Sequence, residues 1–164
     1  MNAARAFKTK HITIIAAAMT TSALAGTLTA ATPAALSPQA AITARQAGFK
    51  KMGAAMKALN EQIKSDTPAK DVMAVAARTI AVTAREQPGL FPAGSGSSAG
   101  IPTDALPNVW NDRATFNAQM NQLLAESSKL MSVAAGGDAA AIKVQAKATG
   151  AVCGACHRQF RVNN

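Results

Sequence analysis

Apolar side chains return at alternating steps of three and four through residues 42–63. Ile42, Arg45, Phe49, Met52, Met56, Leu59 and Ile63 fall on one helical face with a single cation among them. Ser37-Pro38 reads as an N-cap followed by proline at the first helical position, and Pro68 sets the limit at the other end. A second helical pattern over residues 71–86 runs through Val72, Met73, Ala76, Ile80 and Thr83 and is the least apolar of the set. Residues 111–134 hold Phe116, Met120, Leu123, Ser127, Leu130 and Ala134 in register, with Gly136-Gly137 as the stop. Asp138 then caps a last helix in which Ile142, Ala146, Thr149, Cys153, Cys156 and Phe160 step by four and three. Between the second and third patterns, residues 87–107 carry four prolines and the run Gly94-Ser95-Gly96-Ser97-Ser98, which predicts a long crossover loop.

No run of residues reads as a strand. Tyrosine is absent, aromatics make up 4% of the chain, and the β-branched residues beyond the N-terminal segment do not cluster. Four amphipathic helices with two short turns and one longer connection predict an all-α, antiparallel four-helix bundle, a fold whose core is a usual place for a cofactor.

The first residues belong to a different pattern. Arg5, Lys8 and Lys10 form a basic start without acids, residues 12–19 are a short apolar stretch, and Ala23-Leu24-Ala25 offers small residues for cleavage. That is the build of a secretory signal peptide over residues 1–25, with later cleavage options up to about residue 36. The stretch is shorter than the roughly 20 apolar residues that a membrane span requires. No stable membrane insertion is expected after cleavage. The bundle is then expected over residues 37–164, a comfortable size for one core.

Charge changes the picture only slightly. The chain has 17 Lys+Arg against 8 Asp+Glu, a formal net charge of +9, and loses three of the cations with the leader. The remaining cations are dispersed rather than clustered, so no nucleic-acid partner is expected, while a basic surface can steer the protein towards acidic redox partners.

The chemistry concentrates in Cys153-Gly154-Ala155-Cys156-His157, which holds the only two cysteines of the chain. C-x-x-C-H is the pattern by which c-type haem is attached: each thiol adds to one vinyl group, and the adjacent imidazole ligates iron from the proximal side. C-x-x-C alone also serves thiol-disulfide exchange and half of a zinc site. A zinc site lacks ligands here, because the second histidine, His11, lies in the leader, and a thioredoxin-like reading lacks strands. Both thiols fall on the apolar stripe of the last helix with His157 beside it, so a haem linked there is held against the bundle core. Thioether attachment needs reduced thiols and takes place outside the bacterial cytoplasm, which agrees with the leader and gives the periplasm as the expected location. No paired carboxylates or activated nucleophile accompany the motif, and no enzymatic role is expected.

With its haem motif at the C-terminal end of a helical bundle, the chain resembles the class II cytochromes c, the cytochrome c′ family. The match is carried by residues 45–52 (Arg-Gln-Ala-Gly-Phe-Lys-Lys-Met), by Trp110-Asn111-Asp112 with Phe116, and by residues 153–161. The resemblance implies one covalent haem c held by Cys153 and Cys156, with His157 as the proximal iron ligand. It implies that Arg45 lies near a haem propionate, and that Arg161 lies on the proximal side near the histidine. Their alternatives are an arginine snorkelling from the helix edge at 45 and a favourable charge in the last helical turn at 161.

Phe49 aligns with the residue that covers the sixth iron position in this family. A phenyl ring has no lone pair for iron, so the resemblance implies five-coordinate, high-spin iron behind an apolar guard, open to NO, CO and similar small diatomics. The competing expectation is Met52, one turn further along, whose thioether would give low-spin iron and a soluble electron carrier. Methionine at such a position is more often core filling. A bis-histidine haem is excluded, since His157 is the only histidine outside the leader. The resemblance also allows the first helix to pair two chains as a homodimer.

Overall fold

The computed structural model describes residues 36–162, and the expected signal peptide lies outside these described residues. The chain runs as α1 (Pro38–Lys64), α2 (Lys70–Glu86), α3 (Asn108–Asn111), α4 (Arg113–Gly136) and α5 (Ala139–Phe160). α1, α2, α4 and α5 are the four expected bundle helices, and α3 is a single added turn.

Local chemistry sets the helix ends close to where the pattern predicts them. Ser37 Oγ accepts the Ala40 N–H at 3.2 Å at the head of α1, and Ser65 turns the chain into extended backbone ahead of Pro68. The third helix differs from expectation at its start. Asp112 leaves helical geometry at φ −120° and ψ 60°, and its carboxylate accepts the Thr115 N–H, so α4 begins at Arg113 and the preceding turn becomes α3. Gly137 ends α4 in the left-handed region at φ 70°, and Asp138 Oδ1 accepts the N–H groups of Ala140 and Ala141 to start α5.

Leu59, Met73, Ala77, Ile80, Leu130 and Ile142 fill the end of the bundle near the two short turns. Burying each of the larger side chains stabilises the fold by about 1.5–3 kcal/mol. Much of the apolar stripe of α1 faces the interior: Ile42, Met52 and Leu59 are buried, and Phe49, Met56 and Ile63 are partly so.

Helix packing runs in a ring from α1 to α2 to α4 to α5, and the closing seam between α5 and α1 is much the thinnest. A polar knot holds α5 in register on α4. Gln145 Nε2 donates to the backbone and carboxylate oxygens of Glu126, and Thr149 Oγ1 donates to Gln145 O at 2.9 Å. Thr149 is one helical turn before Cys153, so the knot fixes α5 against α4 just ahead of the first thiol.

The crossover is more ordered than a flexible loop. Residues Gln87–Leu90 and Ser97–Ala99 form 3-10 turns, and an isolated bridge ties Ala105 to Arg161. Where α1 passes the start of this segment, a Cβ at Gly48 would lie 2.1 Å from Nε2 of Gln87, a side chain that is itself fully buried. Gly48→Ala gains about 1 kcal/mol of helix propensity. Overpacking costs typically 1–3 kcal/mol, so the expected outcome is net destabilisation. Chemical denaturation should show a lower midpoint with the slope unchanged.

Candidate haem site

At the thin seam the four helices part around a cavity of about 690 Å³. That falls within the roughly 300–1,000 Å³ typical of small-molecule and cofactor pockets. α5 supplies Cys153, Cys156, His157 and Phe160; α1 supplies Arg45, Phe49 and Met52; α4 supplies Phe116, Met120 and Leu123. Every expected site residue thus lines one chamber, Arg161 included. The antiparallel arrangement causes this, because it brings the start of α1 beside the end of α5.

The thiols are free and half-buried. Burial raises the pKa of Cys153, and burial together with its neighbour Cys153 pushes that of Cys156 up to about 11. Because the thiolate is the species that exchanges into disulfides, a protonated pair is slow to oxidise. His157 is exposed at the cavity edge, and partial burial followed by the positive charge of Arg161 lowers its pKa. Arg161 is the C-cap of α5 and not part of its last turn. Its Nε lies 3.5 Å from Asp104 Oδ2 in a half-exposed pair.

Arg45 does not snorkel. It is 2% exposed. Its Nη1 donates to Ser95 Oγ at 2.9 Å and to Leu90 O at 3.4 Å, and its Nη2 donates to Ser95 O at 2.7 Å and Thr103 Oγ1 at 2.8 Å. The guanidinium carbon stands 4.8 Å from the centroid of the Phe91 ring and 5.9 Å from that of Trp110. All four acceptors are neutral. The described ion pairs, Lys57–Glu61 and Arg161–Asp104, do not include it. A buried cation without a carboxylate is costly, and desolvation duly lowers its pKa.

Phe49 is half-buried and bridges two groups of side chains. On one side are Phe91, Phe116, Met120 and Phe160; on the other are Met52, Ala84 and Leu123. Met52 is 8% exposed and packs with Ala84 and Leu123 as core filling does, although it also borders the cavity.

Three wall residues escaped sequence reasoning. Phe91 lies in the proline-rich crossover, where an isolated large aromatic among turn residues was the available signal. Thr103 gave no signal, since its role depends on Arg45 reaching across 58 positions. Gln119 lies on α4 beside the cavity-lining Phe116 and Met120, and its Oε1 is buried without a hydrogen-bond partner.

These features fit the expected haem. Two reduced thiols and an imidazole lie on one wall, and a guanidinium whose hydrogen-bond partners are all neutral suits a haem carboxylate. The walls also leave room: a Cβ at Gly53 or Gly150 would meet nothing within 4 Å. Among the described residues no group of three or more His, Cys, Asp or Glu is arranged to hold a metal ion directly.

Comparison with known proteins agrees. The family model described as Cytochrome C′ matches residues 40–161. A cytochrome c′ of Rhodospirillum rubrum is 31% identical over 146 residues, covering 88% of this chain and 97% of that protein. The crystal structure of cytochrome c′ from Thermochromatium tepidum superposes with a TM-score of 0.75 at 27% identity, covering 79% of this chain and all of the other. A second solved cytochrome c′, described as having an unusual ligand-controlled dimer dissociation, has the same TM-score at 26% identity and covers the same shares of the two chains.

Because Arg45 binds neutral oxygens, its contribution should resist salt. Arg45→Met leaves the oxygens of Leu90, Ser95 and Thr103 without their donor and should destabilise the protein by at least about 2 kcal/mol. Denaturation at low and high ionic strength should give the same loss.

Proposed function

Since this chain belongs to the cytochrome c′ family and carries haem c, we propose that it is a periplasmic haem protein that binds small uncharged diatomics, NO and CO, at a distal face guarded by Phe49. When bound, haem c supplies an iron centre that exchanges one electron and takes up such gases. Cys153 and Cys156 anchor it as thioethers, and His157 ligates the iron from the α5 side. Arg45 meets a propionate, and Arg161, near His157, adds positive charge on the proximal side. Residues 1–25 direct export, and residues 37–164 form the haem-binding bundle.

The observation that carries the reading is the make-up of the α1 and α4 walls. Phe49, Phe116, Met120 and Leu123 form an apolar group on these walls, with Gln46, Lys50 and Gln119 as their polar neighbours in the lining. An anion or water held against that apolar group would give up hydration, at a cost of about 2–7 kcal/mol for a neutral polar group left unpaired and more for an ion. An uncharged diatomic loses little. Arg45 is tied to neutral oxygens of the crossover, and the protein is read as a binder and electron-transfer protein rather than an enzyme.

Met52 borders the same cavity and gives the second reading, a low-spin electron carrier. Optical spectra of the haem-loaded protein decide between them. Broad high-spin ferrous bands that shift sharply with CO are expected, and Met52→Leu should leave them unchanged. Sharp bands indifferent to CO in the parent, lost in Met52→Leu, would establish the carrier instead.

The basic surface suits acidic periplasmic redox partners, which electrostatic steering would bring to it. A second copy is the proposed occupant of the outward groove between α1 and α2. Ala54, Ala58, Val72 and Val75 line that groove, and Val75 is 66% exposed. The dimeric behaviour of the relative described above supports this. Val75→Glu should convert a dimer to monomer in sedimentation experiments without altering the optical spectrum.

A further inference from the structure

Phe49 has one ring partner among the described residues, Phe91, whose centroid lies 6.3 Å away at an interplanar angle of 62°. Phe91 is itself held on several sides. Phe116 packs on it edge-on at 4.8 Å, the Arg45 guanidinium lies 4.8 Å from its centroid, and Arg113 Nη1 donates to its backbone carbonyl at 3.1 Å. Arg45 is in turn fixed by Ser95, which is fully buried, and by Thr103. Trp110 Nε1 donates to Pro92 O at 3.0 Å, which pins the segment next to Phe91. Arg45 and Phe49 are one turn apart on α1, so the residue that clamps the crossover and the residue that guards the cavity share one rigid element.

We propose that Phe91 is a positioning residue for the distal guard: it is the fixed stop against which the Phe49 ring rests, and the Arg45-clamped crossover thereby sets how readily a diatomic reaches the iron. This inference rests on the gas-binding reading above. A ligand arriving behind Phe49 must displace that ring. On one side the ring packs against the group of Met52, Ala84 and Leu123, and on the other Phe91 is its ring partner, so the way out depends on the volume Phe91 occupies. Phe91 acts through Phe49 and needs no contact with the ligand itself.

The test is a double-mutant cycle on haem-loaded protein, with CO association followed by flash photolysis. Phe91→Ala should accelerate association about tenfold, as should Phe49→Ala, and the double variant should be no faster than Phe49→Ala alone. Ser95→Ala, which loosens the Arg45 clamp from outside the cavity, should give a smaller gain of about threefold, lost in the Phe49→Ala background. Crystals of the Phe91→Ala protein should show Phe49 turned into the vacated volume. Should Phe91→Ala fail to fold, Phe91→Leu keeps the site apolar and occupied while removing the ring, and the same cycle applies. A Phe91 variant that binds CO at the parent rate while Phe49→Ala is faster overturns the proposal, as do effects that multiply in the double variant. If neither the parent nor Phe49→Ala binds CO, the gas-binding reading itself fails and the inference falls with it.

Discussion

The buried guanidinium of Arg45 is the constraint on which the open half of the molecule depends. A cation removed from water must be solvated by something. Here the crossover does it, with two oxygens of Ser95, one each of Leu90 and Thr103, and the faces of Phe91 and Trp110. The same demand folds a glycine- and proline-rich segment into a wall. No carboxylate is among its partners, so its charge beside the cavity is met by neutral oxygens and ring faces alone.

The two ends of the bundle follow different physics. Near the short turns, aliphatic side chains from all four long helices interdigitate, and the packing is that of an ordinary core. Towards the C-terminus of α5, the helices part, aromatic side chains replace aliphatic ones, and the closing seam between α5 and α1 thins. Stability is concentrated at the first end and chemistry at the second. The Glu126–Gln145–Thr149 knot lies between them and carries the register of the packed end to the thiols.

Much of the arrangement was legible in the chain. The three-four spacing placed α1 from its Ser37 cap and α5 from its Asp138 cap, and both ends are set by short-range hydrogen bonds that sequence specifies directly. The grouping of Cys153, Cys156 and His157 on one wall of the cavity was legible for the same reason, since three functional groups at fixed helical offsets need no tertiary information. Phe91, Thr103 and Gln119 were not. Each belongs to the site only because a distant element packs against it, and none lies in a motif. The split of the third helix at Asp112 was also missed, because a capping aspartate inside a helical pattern is locally compatible with continuation.

What the sequence determined by itself was the helical periodicity, the family resemblance and the attachment chemistry, each carried by residue types at fixed spacings along the chain. What only the tertiary structure decided was the fate of Arg45 and the surroundings of Phe49. Sequence left Arg45 between a buried partner and a snorkelling surface cation. The fold buried it, because closing the bundle brings residues 90–103 over the start of α1 and offers more hydrogen-bond acceptors there than the helix edge could. Long-range contacts of this kind are set by how the helices close on one another, and no local pattern of residues encodes them.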